Sequence, residues 1–308
     1  MSSVLKPLIP DVEPTVVYHY TSLASMMKIL KTQKIWATDI GYLNDVSERN
    51  LLLDTVDGHL LNFASEHRME VEQFRISQRS QVPDGPYVAS FSAESDSLNQ
   101  WRSYCPQANG VSIGFKTECL KAVELAWKPA YEGYKRNVWD YILPCEFKRV
   151  FYVDPNDGEL AIKVLNSAYN DALKSVQELK DNYGDEFASI DAYFRFNIEA
   201  QASFYKHKGF SSESEYRLVL PSQFQQAHQI EFRCTRSSLV PYVALNVPHS
   251  KAAEEMRPDV FRWDAVTEIK IGPTPNADLT QLAVFGFCRS IGLTSANVTK
   301  SNLPYRDW

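Results

Sequence analysis

Strand-like runs in this chain are scattered among helical stretches with no regular alternation of the two, and that order limits its fold more than any other feature. A doubly wound parallel sheet needs strand and helix to take turns, so an α+β arrangement is expected instead. Val16-Val17-Tyr18-His19-Tyr20 is β-rich, Thr21-Ser22 supplies helix-capping chemistry, and Leu23, Met26, Met27 and Leu30 recur at helical spacing. Residues 34–38 read as a second strand. His19 thus falls near the end of the first strand of a strand, short helix, strand opening.

Further along, 47–78 reads as a mostly polar helix with Leu52, Val56, Leu60 and Phe63 on its apolar side, and Pro83-Asp84-Gly85-Pro86 as a turn. Strands are expected at 87–92, 110–115, 150–153, 215–220, 229–233, 239–245 and 268–271, with helices at 97–104 and 279–291. The stretch from about 156 to 206 is helical, interrupted near Asn182-Tyr183-Gly184, and reads as an insertion between sheet segments. One domain spanning 1–308 with that helical insertion is the expected organisation.

Hydrophobic residues make up 44% of the 308 and aromatic residues 12%, enough for a substantial core and too many for a disordered chain. A formal net charge of -6 argues against strong, sequence-blind nucleic-acid binding, which draws on many Lys and Arg contacts to phosphate. A local basic groove on an acidic body stays open. Five scattered cysteines without a CxxC, and six histidines in all, point away from a disulfide framework or a metal cluster, so no metal is expected. With no basic-then-apolar leader and no long apolar run, neither secretion nor a membrane partner is expected, and the cytoplasm is the expected location.

GxGxxG, GxxxxGK[ST] and HExxH are all absent, so a nucleotide would be held without a glycine-rich phosphate loop. Three short segments carry the remaining chemistry. Tyr18-His19-Tyr20-Thr21-Ser22 sits at a strand-to-helix junction. There the His19 ring can bond ribose hydroxyls, or merely cap local backbone groups, while the backbone after it can grip a planar carboxamide. Ser90-Phe91-Ser92 puts two hydroxyls on one strand face. In Glu213-Ser214-Glu215-Tyr216-Arg217, strand alternation would place Glu213, Glu215 and Arg217 together. Two carboxylates can divide a glycosyl transfer between them, one stabilising a cationic sugar and the other taking a proton. The same residues also fit an exposed strand with a solvent-side Glu-Arg pair of little energetic weight.

Taken together and in this order, the three segments resemble the ADP-ribosyltransferase superfamily, and the chain's opening looks like that of its DNA-targeting toxin branch. The similarity is greatest to a bacterial family of domains of unknown function grouped with these transferases. It rests on Tyr18-His19-Tyr20, Leu43-Asn44-Asp45, Ser90-Phe91-Ser92, the segment from Asp96 to Tyr104, Gly110 to Phe115, Glu213 to Arg217 and Pro304-Tyr305-Arg306.

The resemblance implies a split mixed β-sheet core and NAD as substrate. It gives His19 to the adenosine-side ribose, the backbone of Tyr20 and Thr21 to the nicotinamide carboxamide, and Ser90 and Ser92 to the placement of Glu215 and the nicotinamide ribose. Glu215 favours the oxocarbenium-like state and Glu213 orients or deprotonates the acceptor. Arg102 and Arg306 either meet the pyrophosphate or pair with Asp45 or Glu48. Because His19 stands where arginine-modifying relatives carry Arg, the acceptor is left open, nucleic acid first and protein second. A phage-defence or toxin-antitoxin setting, with an antitoxin or inhibitor protein as partner, follows from the same analogy. The competing readings are an NAD glycohydrolase and an inert nucleotide-binding or partner-binding protein.

Overall fold

A computed structural model describes residues 12–43, 46–70, 86–105, 108–125, 143–154, 157–183, 189–220, 229–235, 237–250 and 263–304. The chain divides into two compact units, one from Met1–Lys31, Phe91–Lys121 and Pro248–Trp308, the other from Thr32–Ser90 and Ala122–Val247. Both mix helix and sheet, the α+β class the scattered strands imply.

In the first unit, β1 (Val16–Ser22) lies antiparallel to β4 (Gly110–Lys116), which lies antiparallel to β13 (Val266–Ile271). β13 runs parallel to β14 (Asn297–Lys300), and the helix between them, α7 (Ala277–Ser290), makes the crossover that parallel strands require. Gln281 Nε2 donates to the Val298 carbonyl at 2.8 Å and ties that helix to its strand. β14 had no counterpart in the sequence reading, because Asn297-Val298-Thr299-Lys300 is too short and polar to stand out. The helix α1 (Leu23–Thr32) follows β1 directly, and Ser22 Oγ accepts from Ser25 N at 3.1 Å, the N-cap its hydroxyl suggested.

Two further short helices, α3 (Leu98–Tyr104) and α4 (Thr117–Lys121), flank β4. Trp101, Tyr20 and Cys105 form a buried cluster with Tyr18 and Leu303 against it. Backbones approach closely beside this cluster, where Gly272 N donates to Gly110 O at 2.9 Å. A Cβ on Gly110 would lie 2.2 Å from Cys105 Cβ, and one on Gly272 would lie 2.9 Å from the Trp101 ring. Gly110→Ala is expected to lower stability by about 1–3 kcal/mol in urea unfolding through overpacking.

In the second unit, β2 (Lys34–Asp39) pairs antiparallel with β12 (Leu239–Asn246) and with the start of β3 (Tyr87–Ser92). β12 carries the edge strand β11 (Glu231–Cys234). β10 (Glu215–Leu220) pairs with β3 and, antiparallel, with β7 (Glu146–Arg149). Every residue of β10 is buried, in keeping with the unbroken aliphatic run Leu218-Val219-Leu220 after Arg217. The short strands β5 (Glu124–Leu125) and β6 (Leu143–Pro144) pair separately.

The second unit also holds a helical layer. α2 (Val46–Glu66), α5 (Gly158–Tyr183) and α6 (Ile190–Ala202) pack through Leu52, Val56, Leu60, Phe63, Val164, Leu165, Phe194 and Ile198. Asp157 Oδ1 accepts from Leu160 N and Ser189 Oγ from Ala192 N, capping α5 and α6. Together α5 and α6 form the crossover between β8 (Phe151–Val153) and the parallel β9 (Tyr205–His207). The helical reading of 156–206 therefore overran its end, since Tyr205 and Lys206 are strand residues. The helix expected over 47–78 stops at Glu66; 71–78 and the turn residues 83–85 lie outside the described residues, as do Asn44, Asp45 and Arg306.

Candidate active site

Glu215 opens β10 and is 3% exposed, yet its carboxyl is held below the ordinary carboxylate value. Burial alone would push it up. The charges of Arg217 and Lys206, with hydrogen bonds from Arg217 and Ser90, outweigh that penalty. Arg217 lies two residues on, on the same strand face. Its Nε donates to Glu215 Oε1 at 2.7 Å, its Nη2 to Oε2 at 3.1 Å and its Nη1 to the Ser203 carbonyl at 2.7 Å. Glu215 N donates to the Tyr152 hydroxyl at 2.9 Å, and burial pushes that phenol up to about 12.

Lys206 completes the cluster from β9. It is 2% exposed, and its Nζ donates to Glu213 Oε2 at 2.7 Å and to Glu215 Oε2 at 3.1 Å. The Nζ also lies 4.8 Å from the centre of the Phe210 ring. Two cations and two carboxylates thus form a formally neutral group within the second unit, and each charge is matched as burial demands.

The strand geometry expected of Glu213 is corrected here. A 3-10 segment, Lys208–Glu213, precedes β10, and Ser214 turns left-handed at φ 46° and ψ 47°. Alternation therefore stops at Glu215 and does not reach Glu213. Lys206 brings the Glu213 carboxylate to that of Glu215 instead. The exposed-strand reading of the Glu-Arg pair fails as well, because Arg217 is 1% exposed.

In the first unit, His19 is partly buried, its ring 5.7 Å from that of Phe91. The β1 register against β3 consists of Tyr18↔Ser92, while against β4 it runs on through Ser22↔Gly110. The Tyr20 side chain is structural. Its hydroxyl donates to the Glu94 carbonyl at 2.7 Å and accepts from Ser97 N at 2.9 Å. Thr21 O accepts a weak bond from Cys105 Sγ at 3.5 Å. Ser92 is buried and its Oγ accepts from Glu94 N at 3.2 Å, whereas Ser90 is partly exposed and reaches Glu215. Arg102 lies on the exposed side of α3. Trp101 is core: its Nε1 donates to Asp96 Oδ1, which also accepts from Ser301 Oγ.

Sequence reasoning missed Lys206, Tyr152 and Ser203. The signal for Lys206 was Phe204-Tyr205-Lys206-His207, an aromatic, β-prone run at the end of a helical pattern.

The family model described as "Protein of unknown function (DUF2971)" matches residues 100–218, a span from α3 into β10 that takes in Lys206, Glu213, Glu215 and Arg217. No curated protein matches the chain. Among solved structures, Thermus sp. 2.9 DarT in complex with ADP-ribosylated ssDNA is similar at 11% identity over 96% of each chain, with a TM-score of 0.31.

Proposed function

We propose that this chain is an ADP-ribosyltransferase that moves ADP-ribose from NAD to a macromolecular acceptor and releases nicotinamide. The observation that carries the reading is a buried, ionised Glu215 fixed by Arg217, Lys206 and Ser90, with a second carboxylate on the same lysine. A preorganised carboxylate of this kind favours positive charge building up on a ribose as its bond to nicotinamide breaks. The electron pair of that C1′–N bond leaves with nicotinamide. The acceptor then bonds to C1′, and its proton passes to Glu213.

The two carboxylates suit different partners. Glu213 is 13% exposed and Glu215 3%, so the former is the one an incoming macromolecule meets. A ribose hydroxyl competes with the Ser90 hydroxyl for the acceptor positions that the two cations leave on Glu215. His19, the Tyr20 and Thr21 backbone, Ser92 and Arg102 are assigned to the rest of NAD by the sequence resemblance. Nucleic acid is the proposed acceptor, on the strength of the N-terminal pattern shared with DNA-targeting toxins, and a toxin or phage-defence role is proposed with it.

Incubation with adenine-labelled NAD and cell lysate, followed by nuclease or protease, tests the reading. Label removed by nuclease supports it, and label removed by protease makes the acceptor a protein. Nicotinamide release without labelled macromolecule makes the chain a glycohydrolase. No release at all overturns the enzymatic reading. Glu213→Gln is expected to reduce label transfer about tenfold or more beyond its effect on nicotinamide release, the scale of a lost general base; equal loss in the two assays would contradict the division of roles.

A further inference from the structure

A lysine that is 2% exposed is rare unless its charge is fully matched, and Lys206 meets two carboxylates rather than one. The left-handed Ser214 breaks the strand pattern that would have set Glu213 beside Glu215. Their side chains come from different local structures, a 3-10 turn and a strand. What joins them is one ammonium, with Glu213 Oε2 at 2.7 Å and Glu215 Oε2 at 3.1 Å. Lys206 is itself fixed on β9, paired with Tyr152 of β8 in a parallel register, and the Tyr152 hydroxyl accepts from the Glu215 backbone. The lysine and the strand end it serves are therefore held by the same short strand pair.

We propose that Lys206 is a positioning residue that makes Glu213 and Glu215 a working pair by donating one hydrogen bond to each. It touches neither leaving group nor acceptor. Its task is to keep the proton-accepting carboxylate at a fixed offset from the carboxylate that faces the sugar, which is where orientation contributes most to rate. Arg217 also holds Glu215, through two bonds of its own, so removal of Lys206 disturbs Glu213 more than Glu215. This rests on the transferase reading above, and the experiment separates the two.

Lys206→Gln is measured for nicotinamide release and for label transfer from NAD, alone and in the Glu213→Gln background. The single variant is expected to lose transfer about tenfold more than release, a size usual for coupling between contacting residues. In the Glu213→Gln background it should lower transfer no further. Lys206→Arg, which keeps the charge and two donors, should recover most of the lost transfer.

The second readout is the titration of the Glu215 carboxyl carbon in 13C-glutamate-labelled protein. The groups facing that carboxyl among the described residues are Arg217, Lys206, Ser90, Tyr152 and Glu213. Its midpoint should move upward when Lys206 is replaced, both in the single variant and between Glu213→Gln and the double variant. The double variant removes one charge of each sign and serves if the single variant does not fold.

Equal loss of release and transfer, full additivity with Glu213→Gln, or an unmoved Glu215 midpoint would each overturn the proposal. Absence of nicotinamide release from the unsubstituted protein would instead overturn the transferase reading, and the titration would still decide whether Lys206 holds Glu215.

Discussion

Glu215→Gln is expected to lower nicotinamide release by about three orders of magnitude, the scale seen when a preorganised charge-stabilising group is removed from a reacting centre. The substitution is nearly isosteric and keeps one acceptor oxygen for the Arg217 fork. It removes the negative charge that balances Arg217 and Lys206, both within 3.1 Å of the carboxylate. Stability should change with it, in a direction that pH exposes. The Glu215 carboxyl is held below the ordinary glutamate value of 4.5 in the folded protein. Its charge therefore contributes stability in full above that value, and the contribution is lost as pH falls through the lower folded value. Urea midpoints of the unsubstituted protein should drop on acidification below about 4.5, and those of Glu215→Gln should drop less over the same range. A variant that keeps normal release and the same acid profile would remove Glu215 from the site.

The parts of the fold that were legible in the sequence are those governed by local periodicity. β1 and α1 could be read from a β-branched and aromatic run handing over to apolar residues three and four apart, with Ser22 between them as a cap. The α5 and α6 layer was legible for the same reason: Ala161, Val164, Leu165, Ala168 and Ala172 are spaced for one buried helix face. β10 was legible from Leu218-Val219-Leu220, since a strand buried on both faces carries a continuous apolar run.

The illegible parts depended on a single backbone conformation or on distant partners. Glu213-Ser214-Glu215 runs straight into a strand in sequence, and the 3-10 segment ending at Glu213, with the left-handed Ser214 after it, takes Glu213 out of that strand. Local propensity cannot announce that, since serine is not a residue that marks this conformation as glycine does. The burial of Arg217 was hidden too. An arginine two residues from a glutamate reads as a surface pair until the strands β3 and β7 are known to flank it. Lys206 was concealed by its position at the end of a helical pattern, although the aromatic residues before it favour a strand.

Arg217→Met should be the most destabilising of these substitutions, by about 3–5 kcal/mol in urea unfolding, because it breaks a buried ion pair by removing one partner. Three bonds are lost at once: two to Glu215 and one to the Ser203 carbonyl, which sits where α6 ends and β9 begins. The methionine matches the volume of the stem but leaves two carboxylates facing one ammonium, so the cluster carries a net negative charge with almost no access to water. A second substitution can restore the balance. In Glu215→Met/Arg217→Met the pair is replaced by apolar groups, Lys206 keeps Glu213 as its partner, and the cluster is neutral again. Buried pairs exchanged for apolar side chains of similar volume are often no less stable than the original. The double variant should therefore be more stable than Arg217→Met alone, a strongly non-additive cycle for two residues in direct contact. Additive losses would mean that Arg217 acts mainly through the Ser203 carbonyl, as a brace on the α6–β9 junction. A double variant that recovers stability while lacking nicotinamide release would separate the two roles of the cluster. Charge neutrality would be what the fold requires, and the particular carboxylate at 215 would be what the chemistry requires.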